Sequence, residues 1–308
     1  MTENIRNTSS YSGSPWFQLF IALIYIMVIG GVVFLILLIP GLFIFNTEAE
    51  FLRDPLFHAN RDDIPFLRYL LITQHISLFI IPGVLLIYKE KNIIKSSFQI
   101  FTMPDLQDLA YVTILAFCLI PVTGITGELN SGMELPEWLS GVENWMRGKE
   151  TMAGKLFDIL LTPDNIGSLI INLFMIALLP AIGEELIFRG VFQRILTKIF
   201  SSGYVAVMIS AFIFSALHLQ FYGFVPRFIL GLVYGYLFLW SGTLWLPVIA
   251  HFINNALSVI ITWIHTPDLV FVQQEIPVLQ RIAALLLPVI AGSIALLYFR
   301  RKALRERV

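Results

Sequence analysis

Eight stretches of this 308-residue chain are apolar for about the thickness of a bilayer, which takes about 20 residues of helix to cross. They run Phe17–Phe45, Pro65–Tyr88, Leu106–Thr126, Ile166–Phe200, Tyr204–Phe221, Phe224–Trp240, Leu244–Ile264 and Arg281–Phe299. Segments this long and this apolar predict an all-α, polytopic integral membrane protein with about eight transmembrane helices. The first run is long enough to tilt or to end in an interfacial turn near Pro40–Gly41. The fourth, about 52 Å long at 1.5 Å per residue, must tilt or protrude. A polar tail precedes the first run over 1–15, a single membrane domain fills 16–300, and a basic tail closes the chain over 301–308. The first run is too long for the apolar region of a signal peptide.

Composition removes several function classes. Charged residues make up 13% of the chain and hydrophobic residues 57%, against about 25% charged in a soluble domain. The net charge of −1 offers no basic surface for nucleic acid. The single Cys118 excludes a disulfide framework and a thiolate metal site. The 26 Phe, 10 Tyr and 6 Trp suit contact with membrane lipid and its interfaces.

Charge placement predicts topology. Lys89, Lys91 and Lys95 follow the second run, Arg194 and Lys198 sit at the tip of the fourth, and Arg300, Arg301, Lys302, Arg305 and Arg307 end the chain. With eight spans all three clusters share a side, and Lys/Arg-rich ends belong in the cytoplasm, so both termini are expected there. The loop over 127–163 then lies opposite, with Glu128, Glu134, Glu137, Glu143 and Glu150. In it Trp138, Val142, Trp145 and Met146 recur at helical spacing, predicting an amphipathic helix in the interface.

Ionisable groups inside apolar runs cost about 2.5–3.5 kcal/mol each on insertion scales, so those that occur need a reason. The fourth run holds Glu184, Glu185 and Arg189 in PAIGEELIFRG, the fifth His218 in FSALHLQ, and the seventh His251, Asn254 and Asn255 in AHFINNALS. Glu185 and Arg189 are i,i+4 neighbours suited to an ion pair. Glu184 projects to another face, without a partner on its own helix. His251 and Asn255 point the same way. A hairpin turning near Ser201–Ser202–Gly203 brings Glu184 and His218 level at roughly 24–27 Å from its tip. His251 joins them if that hairpin projects about 10–13 Å past the turn at Ser241–Gly242, which predicts a cluster in the cytoplasmic half of the bilayer. A Glu and a His converging there can activate water, and His251 with Asn255 can offer donors to a developing oxyanion. Gly183 and Gly190, and the GxxxG pair Gly231 and Gly235, predict close helix approach. Pro180 frees a backbone carbonyl one turn before the glutamates. His75, beside Gln74 in the second run, is read as structural or water-facing, and His58 and His265 as loop residues.

At these residues the chain resembles the CPBP family of intramembrane proteases, related to CAAX prenyl endopeptidases and called Abi in older usage. The family motifs EExxxR, FxxxH and HxxxN stand here as Glu184-Glu185-…-Arg189, Phe214-…-His218 and His251-…-Asn255, each in its own apolar run within 165–260. The resemblance implies that Glu184 and His218 activate the nucleophilic water, His251 and Asn255 stabilise the oxyanion, and Glu185 and Arg189 support the site. It implies hydrolysis of a peptide bond in a membrane-associated or lipidated protein or peptide. No cofactor is favoured, since HExxH is absent and Asn is a poor zinc ligand; the alternative is one zinc or other divalent metal at Glu184, His218 and His251. Two rival functions are a non-catalytic immunity or scaffold protein and a proton-coupled transporter. A transporter would be expected to show inverted repeats and paired broken helices, and neither is found in the sequence.

Overall fold

The structure is a computed structural model that describes residues 13–46, 61–89, 101–161, 165–264 and 278–305. Lys91, Lys95, His58, His265 and Arg307 lie outside the described residues, as does most of the N-terminal tail. No strand occurs among the described residues. The helices are α1 (Pro15–Ile44), α2 (Ile64–Tyr88), α3 (Leu106–Ser131), α4 (Ser140–Leu161), α5 (Ile166–Phe200), α6 (Gly203–Ala216), α7 (Phe221–Ser241), α8 (Trp245–Ile264) and α9 (Val278–Arg305). Six of them, α1, α2, α3, α5, α7 and α8, are long and apolar enough to cross a membrane. The chain is therefore an integral membrane protein, with six rather than eight helices meeting that criterion among the described residues. The fifth run forms only the 14-residue α6, about 21 Å of helix. The last run is helical to Arg305, so the boundary expected at residue 300 falls within α9.

The amphipathic helix expected between the third and fourth runs is α4. A 3₁₀ turn over Glu137–Leu139 leads into it, and Trp138, Val142 and Trp145 are exposed. Glu143 ties this segment down, accepting from Leu135 N at 3.0 Å and from Arg147 Nη2 at 2.6 Å. The Arg147 guanidinium holds the Glu143 carboxyl below the usual carboxylate range. Arg147 also lies over the Tyr222 ring, and Trp145 packs on Phe221, so α4 abuts the start of α7.

Glycines decide how the helices meet. On α5, a Cβ at Gly183 would stand 2.8 Å from Phe79 Cβ, and one at Gly190 would stand 3.0 Å from Ile87 Cδ1. Gly83 of α2 faces Leu186 in the same way. The two helices therefore run parallel in close contact, which larger residues would prevent. Gly231 and Gly235 of α7 face Ala211 and Val207 of the antiparallel α6. Arg189 and Gln193 donate to the carbonyls of Gly231 and Gly235 at 2.7 and 3.0 Å, fixing α5 beside α7.

One end of the bundle collects the basic segments. Lys198 Nζ donates to Gln18 Oε1, joining the tip of α5 to the start of α1. Lys302 pairs with Asp105 and Asp108 at the head of α3, and Thr243 and Trp245 donate to the carbonyls of Thr102 and Phe101. The hairpin tip does not project past α7 as the depth argument required. Gly203 abuts Leu239 near the end of α7, while Leu244 reaches Gly190. The strap after Gly242 (φ 70°) descends before α8 begins, so α8 is recessed and brings His251 to the level of the glutamates.

Gly183→Val should destabilise the protein by about 1–3 kcal/mol through overpacking against Phe79. Gly124→Ala, where a Cβ meets nothing within 4 Å, should leave stability unchanged or raised, as thermal unfolding in detergent would measure.

Candidate active site

Two consecutive glutamates near the middle of α5 are buried, and they have different partners. Glu185 is wholly enclosed. Its Oε1 accepts from Arg189 Nη1 at 2.9 Å and stands 2.9 Å from His251 Nδ1 of α8. Arg189 is equally enclosed, its guanidinium lying over the rings of Phe214 and Tyr234. The widened π-helical turns over Leu186–Gln193 carry this arginine, a geometry often found at functional sites. The expected ion pair is present, and it also reaches the histidine of the third motif.

Glu184, on the neighbouring face, has no direct hydrogen bond among the described residues. His251 Nε2 lies 3.9 Å from its Oε2, and His75 Nε2 lies 3.9 Å from its Oε1. His75, read from the sequence as structural or water-facing, therefore stands beside Glu184 as well. Sequence spacing gave no handle on it, because the period of one helix does not say which neighbouring helix a residue faces. The available signal was a histidine in an apolar run.

His218 lies just beyond the end of α6, not within a helix as its motif had suggested. Leu219 follows with φ 53°, and the turn is anchored by several polar side chains. Arg227 donates to the carbonyl and side chain of Gln220, Ser215 Oγ donates to Phe224 O, and Asn130 bonds both Phe221 O and Val225 N. His218 Nδ1 lies 2.8 Å from Phe214 O. The Phe214 ring sits between the imidazoles of His218 and His251, at centroid distances of 5.1 and 6.1 Å. His218 is within electrostatic reach of His251 and His75, but no ion pair within 4.0 Å joins it to Glu184 among the described residues.

The carbonyls opposite Nδ1 of His75 and His218 can only accept, as can the Glu185 carboxylate opposite Nδ1 of His251. In the neutral form of each ring the hydrogen therefore belongs on Nδ1, and Nε2 is left as an acceptor. Tyr234 stacks on His251 at 5.0 Å and fixes its ring plane. Asn255 Nδ2 donates to Ile176 O at 3.2 Å. Pro180 has no N–H to offer that carbonyl, four residues before it, so Asn255 compensates for the proline and retains one amide hydrogen. Asn254 is buried beside it.

No group of three or more His, Cys, Asp or Glu side chains among the described residues is gathered closely enough to hold a metal ion. The arrangement instead supplies a desolvated carboxylate flanked by imidazole acceptors, next to a neutralised Glu–Arg pair.

Residues 166–257 match the family model described as type II CAAX prenyl endopeptidase Rce1-like. The match begins at the start of α5 and ends within α8, so it holds Glu184, Glu185, Arg189, His218, His251 and Asn255 but not His75. No curated protein and no solved structure matches the chain.

Arg189→Leu would leave Glu185 as a buried uncompensated charge and should cost about 3–5 kcal/mol. Adding Glu185→Gln should recover part of that loss, which a comparison of melting temperatures would show.

Proposed function

With an Rce1-like type II CAAX prenyl endopeptidase domain at residues 166–257, the chain is a membrane peptidase, and we propose that it cleaves a peptide bond in a membrane-associated, lipidated protein or peptide. The observation that carries this reading is the Glu184 carboxylate, which is buried, has no direct hydrogen bond among the described residues and is faced by histidine Nε2 atoms. Such a carboxylate is free to take a proton from water. The family description, which names a prenyl substrate, supports the lipidated class.

In the proposed reaction, Glu184 removes a proton from water as the water oxygen bonds to the scissile carbonyl carbon. The resemblance assigns His218 a share in activating the water; its Nε2 is left as an acceptor, but no ion pair joins it to Glu184 among the described residues. The carbonyl electrons pass to oxygen, and the resulting charge needs donors. His251 is one in its imidazolium form, which takes a proton from solvent at Nε2 before the reaction and keeps it throughout. Glu185, against its Nδ1 at 2.9 Å, both orients the ring and stabilises the imidazolium, the role a carboxylate plays behind a catalytic histidine. The unused amide hydrogen of Asn255 is the second donor. The proton on Glu184 then goes to the leaving nitrogen as the C–N bond breaks. Glu185 and Arg189 act through His251 without touching the substrate. The mechanism we favour uses no metal, supported by the lack of a convergent three-ligand set.

We further propose that both termini are cytoplasmic. The start of α1, the tip of α5 and the end of α9 share one end of the bundle, where Arg194, Lys198, Arg300, Arg301, Lys302 and Arg305 gather, and such ends favour the cytoplasm.

Glu184→Gln should abolish cleavage while leaving the melting temperature unchanged, with mass spectrometry of peptides from cells carrying either form as the readout. A product set identical in the two would sink the assignment. Removing the amide donor with Asn255→Ala should slow turnover by about 2.7–4 kcal/mol of barrier, measured as kcat on the same product.

A further inference from the structure

Helix α2 lies outside the matched segment, yet it presents a histidine to the same carboxylate. Each oxygen of Glu184 has an imidazole of its own, His75 on Oε1 and His251 on Oε2, both at 3.9 Å. Several features hold His75 there. Gly183, next to Glu184, has no side chain to keep α2 away, and a Cβ there would collide with Phe79. The Phe79 ring stacks on His75 at 5.7 Å. The helix widens into a π-helical turn directly after His75, over Ile76–Ile80. Nδ1 is 2.9 Å from Leu71 O, which settles which ring nitrogen carries the hydrogen.

Nε2 of the neutral ring and Oε1 of the ionised carboxylate are both acceptors. At 3.9 Å they are not bonded to each other, and they share no protein donor among the described residues. A water oxygen about 2.8 Å from each would bridge them, giving one hydrogen to either side.

We propose that His75 is a further catalytic residue, holding the attacking water jointly with Glu184. The proposal rests on Glu184 being the base. The O–H bond pointing at Oε1 breaks and its proton stays on Glu184. The freed electron pair forms the C–O bond, and the other hydrogen remains bonded to His75 Nε2 and keeps the oxygen lone pair aimed at the carbonyl. The proton reaches the leaving nitrogen from Glu184 as the C–N bond breaks. His75 thus supplies orientation at the reacting atom and undergoes no net change.

The test uses the full-length protein in proteoliposomes with a prenylated, fluorescence-quenched peptide. His75→Ala and His75→Asn, whose amide stands where Nδ1 was, should each lose about 100-fold in kcat, at the low end of what a positioned acid–base group contributes. His75→Gln, whose amide reaches the position of Nε2, should retain about a tenth of wild-type kcat. KM should stay within about twofold throughout, and added imidazole should restore part of the activity of His75→Ala. Glu184→Gln runs alongside. If it is inactive while His75→Ala keeps wild-type kcat, the role of His75 is overturned and that of Glu184 stands. If His75→Gln and His75→Asn fall equally, with matching losses in melting temperature and no rescue by imidazole, His75 is structural and the proposal fails. If Glu184→Gln cleaves as well as wild type, both readings fail together.

Discussion

The carboxylate of Glu185 is the point on which the rest of the site depends. One of its oxygens receives both the Arg189 guanidinium and the His251 ring, binding an i,i+4 pair on α5 to a residue of α8. Neither charge can reach water, so each would be prohibitively costly without the other. Arg189 completes the arrangement by donating to Gly231 O and lying between the rings of Phe214 and Tyr234. Three helices are thereby committed to one register. The same contact sets which nitrogen of His251 carries hydrogen, and so what its other nitrogen can do.

This pair lets Glu184 remain uncommitted. A buried carboxylate is ordinarily quenched by its nearest cation, and Arg189 is already engaged by the adjacent glutamate. The acceptor atoms of two histidines then face Glu184 without bonding it. An uncommitted carboxylate beside an ion-paired one is an arrangement that consecutive glutamates achieve because they point to different faces of a helix. Small residues make room for it. Gly183 and Gly190 admit α2, Gly231 and Gly235 admit α6, and Pro180 leaves a carbonyl that Asn255 takes up.

Much of this was legible along the chain. The apolar runs marked the helices, and the ends of α5, α7 and α8 fall where the runs end. The i,i+4 spacing of Glu185 and Arg189 foretold their bond, and the 127–163 loop foretold α4. Residues that depend on distant packing were harder to read. α6 stops at Ala216 although apolar residues continue, because the turn holding His218 is stabilised by Asn130 from α3, by Arg227 from α7 and by Ser215 reaching the carbonyl of Phe224. Counting helical rise also misjudged the hairpins, since it could not know that the strap after Gly242 descends before α8 begins.

By itself, then, the sequence determined that the chain is helical and membrane-embedded, and which polar residues in its motif region are too costly to be incidental. Those properties follow from local composition and the period of the helix. Only the tertiary structure decided that His75 joins Glu184 and that His218 packs edge-on against Phe214, and that Glu185 serves two partners at once. Such contacts join residues far apart in the chain, and their distances depend on how closely glycines allow helices to approach, which no spacing along one helix records.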